Sequence, residues 1–139
     1  MKIVSVIGTS TADETVWNNA YQVGRLLAKN RCVVVCGGRG GVMEAVELWV
    51  TIPLSTCLGE ARNTVVVSAG DVVISIGGAF GTLSEIGFAL KMGRPVIALG
   101  TWQIQDEKGE PAPLIHAETP EEAVQVALSI FENERDEKE

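Results

Sequence analysis

The residues of this 139-residue chain that could do chemistry cluster in glycine-bearing turns. "IGTST" contributes Gly8, Thr9 and Ser10; "CGGRGGVMEAV" contributes Gly37, Gly38, Arg39, Gly40 and Gly41; "IGGAFGTLSE" contributes Gly77, Gly78, Ala79, Phe80, Gly81 and Thr82. Each turn follows an apolar run and opens a helical pattern. Glycine there permits positive φ and lets a backbone N–H approach an anion, while the helix behind it supplies unpaired donors. Together the turns suit the phosphate of a nucleotide-type ligand. Glu85 ends the third turn, and the spacing Thr82-x-x-Glu85 is also that of a capping box, with Thr82 as N-cap and Glu85 reaching back to its N–H. Capping therefore explains the spacing as well as chemistry does.

Other chemistries are disfavoured by what the chain lacks. No GxGxxG follows the first apolar run, and the second ends in Cys36–Gly37 where a dinucleotide fold places its ribose-binding acid, which argues against NAD. No GxxxxGK[ST] supports Walker-type ATP hydrolysis. Cys32 and Cys36 share one face of a strand pattern, without CxxC spacing or a nearby histidine, so they read as core thiols and no metal site is expected. The sole histidine, His116, falls in a loop-like stretch and receives no role. The net charge of −7 argues against nucleic-acid and anionic-membrane partners, and no apolar stretch reaches the ~20 residues of a membrane span. The expected location is the cytoplasm, and the short run "MKIVSVIG" reads as a strand and not as a signal peptide.

Positioning these turns requires an alternation of strands and helices. Apolar, β-branched runs at Ile3–Ile7, Cys32–Cys36, Val72–Ile76 and Pro95–Leu99 predict strands buried on both faces. Helical patterns span Asp13–Lys29, Gly41–Leu48, Leu58–Ala69, Thr82–Met92 and Pro120–Glu134, with capping boxes at "TADE" and "TPEE". The pattern predicts one α/β domain over residues 1–139, a Rossmann-like doubly wound parallel sheet with helices on both faces, ending in an acidic helix terminus at about 132–139. In such a sheet the ligand crevice opens at the carboxyl ends of the strands, where strand order reverses.

The segments "VGRLLAKNRCVVVCGGRGGVMEAV", "LGEARN" and "ISIGGAFGTLSEIGFALKMGRPVIALGTW" resemble, in order and spacing, the LOG-like Rossmann family, whose members once carried a lysine decarboxylase label. Within it the chain looks most like the bacterial branch that includes molybdenum-cofactor carrier proteins. In the LOG enzymes the motif PGGxGTxxE and an upstream arginine serve hydrolysis of nucleoside 5′-monophosphates to base and ribose 5-phosphate. The resemblance thus implies catalytic roles for Glu85 and Arg62, with Glu85 beneath the ribose, stabilising an oxocarbenium-like transition state, and the arginine fork on phosphate or ribose. Arg62 is open to a surface ion pair with Glu60 instead, and Arg39 to a solvated loop position. The decarboxylase label fails on the residues, since none of Lys2, Lys29, Lys91, Lys108 and Lys138 ends a parallel strand where a Schiff-base lysine would serve pyridoxal phosphate.

Against the family pattern, PGG here reads Gly77–Gly78–Ala79, and "GVMEAVELWVTIPLST" runs almost directly on, where relatives insert more helix, a strand and a loop. The expectation is a sheet shortened by one edge strand, with the exposed edge covered by a loop or a partner chain in a homo-oligomer, dimer or higher. Trp49, beside the shortened region, is a candidate cover; Trp17 reads as core or interface, and Trp102 lies near the crevice. Two functions stand: a LOG-like phosphoribohydrolase that needs no cofactor, or a carrier that binds a nucleotide or molybdenum cofactor of molybdopterin type without turning it over. In either case the partner is a small phosphorylated molecule.

Overall fold

A computed structural model of the chain describes residues 1–37, 40–47, 49, 52–53 and 62–138, with the side chains at 40, 43, 47, 52, 53, 62, 63 and 138 outside that description. The elements follow in the order β1 (Ile3–Gly8), α1 (Glu14–Lys29), β2 (Val33–Cys36), α2 (Gly40–Glu47), β3 (Ile52–Pro53), α3 (Arg62–Ala69), β4 (Val72–Ile76), α4 (Phe80–Lys91), β5 (Val96–Leu99), β6 (Leu114–Ala117) and α5 (Pro120–Lys138). Six strands form one sheet in the order β3-β2-β1-β4-β5-β6, and every pairing is parallel. Strand order reverses between β1 and β4, so the crevice lies over their carboxyl ends.

Both faces of the sheet are covered, which is why the central strands are apolar without alternation. Val4, Val6, Val34, Val72, Ile74 and Ile97 join one core with residues of α1, α2 and α5. The neighbouring positions Ile7, Val73 and Val96 face the other way, onto Val66 and Val67 of α3 and Ile86 and Ala89 of α4. Ser5 and Ser75 are the polar exceptions; the buried Ser5 hydroxyl donates to the Val66 carbonyl at 2.6 Å and ties β1 to α3. Cys32 and Cys36 are buried thiols, and burial pushes that of Cys32 above its ordinary value against the opposing pull of Lys2.

Several local expectations change. The sheet gains β6, parallel to β5, so the stretch around His116 is a strand and not a loop. Its residues 115 and 116 are exposed at the sheet edge, which removed the continuous apolar run that marks a buried strand. The edge strand expected to be lost persists as the two-residue β3, paired with Val35 and Cys36. Trp49 packs against α1: Gly24 leaves room for the indole, since a Cβ there would stand 2.9 Å from Trp49 Cδ1. Tyr21 meets Trp49 edge-on at 5.6 Å and stacks on Trp17, also at 5.6 Å, so Trp17 is half-exposed on this ladder and is not core.

Helix α1 is capped by Asp13, whose side chain accepts from the Val16 N–H at 2.8 Å, and not by Thr11 as the box "TADE" suggests. Thr11 lies outside the helix because its backbone N–H and C=O both engage the Thr9 hydroxyl. At α5, Thr119 does accept from the Glu122 N–H, while the Glu122 carboxylate accepts from Glu118. Asp13→Ala should therefore destabilise the protein by about 1 kcal/mol in urea unfolding. Thr11→Ala should change stability by less than roughly 0.5 kcal/mol; equal losses in the two variants would reassign the cap.

Candidate functional site

The turns after β1, β2 and β4 interlock at the switch point. Gly8 ends β1 so close to its neighbours that a Cβ would stand 2.3 Å from the Ile76 carbonyl oxygen and 2.6 Å from Val42 Cγ2. Gly41 follows with φ 54° and ψ −124°, and its missing side chain leaves room for the Thr9 carbonyl, 2.3 Å from where a Cβ would be. That conformation is essentially glycine's alone. It brings the Val42 N–H onto the same Thr9 carbonyl at 3.0 Å, so the start of α2 is fastened to the end of β1. Gly77 backs onto the Thr9 and Val16 side chains and completes the junction.

Helix α4 starts earlier than its sequence suggests. Ala79, with extended backbone, holds the N-cap position and offers no side-chain acceptor, so Phe80, Gly81 and Thr82 form the first turn without a side-chain cap. Thr82 is thus not the N-cap, and Glu85 stands in the second turn, beyond reach of a capping role. The extended backbone at Ala79 lets the helix begin directly after the glycine pair. Thr82, Glu85, Ile86 and Ala89 are the buried residues of α4, spaced as a core-facing stripe. A threonine and a glutamate therefore occupy positions where packing alone would select apolar side chains. The Thr82 hydroxyl has no hydrogen-bond partner among the described residues, although the residue is only 1% exposed. Because Cα–Cβ bonds tilt toward a helix's N-terminus, it sits at the amino-terminal end of α4.

Of the residues expected in the site, Gly8, Thr9, Gly41 and Gly77 meet at this junction, and Gly78, Ala79, Phe80, Gly81, Thr82 and Glu85 continue it into α4. Ser10 is exposed beside Gly41, and Gly37 is buried just after β2. Thr9 spends its hydroxyl on Thr11, so that group is committed to shaping the turn. Gly38 and Arg39 lie outside the described residues; Gly40 and Arg62 are described as the first residues of α2 and α3, their side chains not. Trp102 does reach the crevice, where its Nε1 donates to the Ala79 carbonyl at 3.0 Å. Sequence reasoning missed the support beneath it: Ser75 in β4 and Thr101, whose hydroxyls lie 3.0 Å apart. The signal was a serine inside the apolar run "VVISI".

Among the described residues no group of three or more His, Cys, Asp or Glu side chains could hold a metal ion. An open groove of about 440 Å³ lies at the opposite, amino-terminal edge of the sheet, where Lys2, Arg31 and Arg135 mix with Glu132 and Glu134. It is remote from the strand carboxyl ends and from the glycine-bearing turns.

Sheet order and the turns at its switch point define a Rossmann-like α/β protein. The chain belongs to the SLOG cluster4 family, whose model matches residues 1–48 and 45–124. The two matches overlap at residues 45–48, at the end of α2. An uncharacterized protein of Archaeoglobus fulgidus is 35% identical over 152 aligned positions, covering 91% of this chain and 94% of the relative. The molybdenum cofactor binding protein of the phototrophic bacterium Rippkaea orientalis superposes with a TM-score of 0.80 at 31% identity, covering 94% of this chain and 97% of that one. The molybdenum cofactor carrier protein of Chlamydomonas reinhardtii shares the fold, with a TM-score of 0.78 at 23% identity over 94% of this chain and 98% of that one.

Gly41→Ala tests the junction. The forced backbone and the contact with the Thr9 carbonyl should cost about 2 kcal/mol or more in chemical denaturation. A loss below roughly 0.5 kcal/mol, within the range of ordinary surface changes, would show that the junction yields easily.

Proposed function

We propose that this protein binds a small phosphorylated ligand of molybdopterin type at the carboxyl edge of its sheet, holding it as cargo without hydrolysing it. The observation that carries this reading is the first turn of α4, which has no side-chain cap yet contains the buried Thr82 hydroxyl, without a partner among the described residues. A helix N-terminus without a cap offers backbone donors and a partial positive charge to an anion. The orphaned hydroxyl destabilises the ligand-free protein and supplies one more donor. The likeness to the Rippkaea orientalis protein supports a molybdenum cofactor as the ligand class. Ala79, where LOG enzymes carry the second glycine of their motif, supports holding over turnover.

A second reading is favoured by one observation of its own. Glu85 is buried on the core stripe of α4 and is not a helix cap, so its carboxylate calls for another reason to be there. In a LOG-type phosphoribohydrolase that reason is chemistry, with Arg62 as its partner in the site and loss of base from a nucleoside 5′-monophosphate as the reaction.

Two assays separate the readings. Purified protein should retain molybdopterin or molybdenum cofactor through gel filtration. Thr82→Val should bind it about tenfold more weakly, as expected when a hydrogen bond to an ionised group is lost, while the ligand-free variant gains or keeps stability. Undiminished binding by Thr82→Val would remove the hydroxyl from the site, and no retention at all would overturn the cargo reading. In parallel, a panel of nucleoside 5′-monophosphates is incubated with the protein and free base is measured. The cargo reading expects none; release that falls by roughly two orders of magnitude or more in Glu85→Gln would replace it with the hydrolase.

A further inference from the structure

Phe80, the first residue of α4, is 82% exposed, an expensive position for a phenyl ring beside a crevice. It is not loose, however. Its ring lies against Trp102 with centroids 5.9 Å apart and planes tilted by 30°. Trp102 is itself fixed by the hydrogen bond from Nε1 to the Ala79 carbonyl and by Gly78, where a Cβ would stand 3.2 Å from the same nitrogen. The Thr101–Ser75 hydroxyl pair holds the adjoining backbone to β4. The result is a rigid aromatic shelf with an open outer face, directly beside the uncapped turn of α4.

Resting on the reading of that turn as an anion site, we infer that Phe80, backed by Trp102, is the shelf on which the planar fused heterocycle of the ligand stacks. The ligand is therefore a phosphate joined to a purine- or pterin-like ring, and Phe80 is the residue that selects for the ring. A second copy of this chain is the poorer occupant. Next to Phe80 along the helix stand the exposed Ser84, Gly87 and Lys91, with Phe88, 37% exposed, further round the same side, so the immediate surround of the ring is polar. A flat π-system needs only the one ring to stack upon, and the phosphate end is met by backbone donors one residue away.

Calorimetric titration with two probes tests this: GMP, which has ring and phosphate, and ribose 5-phosphate, which has the phosphate alone. Wild-type protein should bind GMP more tightly. Phe80→Ala should lose roughly ten- to a hundredfold in GMP affinity, the usual range for removing one aromatic stacking partner, with ribose 5-phosphate binding unchanged. Phe80→Tyr should restore GMP binding. In NMR spectra the indole N–H signal of Trp102, assigned with Trp102→Phe, should move with GMP and stay in place with ribose 5-phosphate. Equal affinity of wild type for the two probes, or equal GMP affinity in wild type and Phe80→Ala, overturns the shelf while leaving the anion site. Failure of both probes to bind wild type overturns the anion site and the shelf together. A drop in oligomeric size in Phe80→Ala by gel filtration would assign the ring to a contact between copies and overturn the inference.

Discussion

The arrangement of the crevice depends on one backbone carbonyl. Thr9 ends its strand by offering its oxygen to Val42, and only a residue without a side chain can stand at position 41 while that bond forms. The contact fixes where α2 begins relative to β1. Because Gly77 packs on the same threonine, it also fixes the turn from which α4 springs. A parallel sheet joins its strands through crossover connections, here mostly helices, so the relative position of its turns must be specified at such crossings. Here the crossing uses a close approach of main chain to main chain, which is stiffer than a contact between flexible side chains.

Helix α4 shows a conflict between packing and polarity. Its inward stripe reads threonine, glutamate, isoleucine and alanine, so the half nearest the crevice is polar and the half further along is apolar. An apolar pair at the first two positions would satisfy the core better. Local rules of this kind are violated mostly where a site requires it. The violation begins in the first turn of α4, whose N-cap residue Ala79 offers no side-chain acceptor, so two departures from ideal structure adjoin at the head of one helix.

Much of this was legible in the sequence. The buried strands announced themselves as β-branched runs, and the glycine turns marked their carboxyl ends, because both signals arise from local steric demands. Three features escaped for physical reasons. The last strand has two solvent-facing residues at its centre, so it lacks the apolar run of a strand covered on both sides. The start of α4 was placed too late because "TLSE" satisfies the spacing of a capping box, whereas the backbone already turns helical after Ala79. The edge strand survives at two residues, too short for any periodicity to reveal it. The two family matches overlap at the end of α2, just before that stub at the rim of the sheet.

The long final helix has an electrical consequence. Helix α5 starts at the carboxyl edge of the sheet and runs for 19 residues, ~28 Å at the helical rise of about 1.5 Å per residue, so its acidic end lies at the far edge. That acidic end is thus held about three screening lengths from the crevice at physiological ionic strength, where the Debye length is ~8 Å. An anion drawn to the carboxyl edge would meet the positive ends of nearby helices and, at the start of α5 itself, Glu121 and Glu122, while the acidic end of α5 stays screened. In dilute buffer, with a Debye length near 30 Å, the same charges reach across the whole molecule and oppose the anion's approach. The electrostatic potential at the carboxyl edge is therefore set partly by the surrounding salt, through a helix whose acidic end lies on the opposite side.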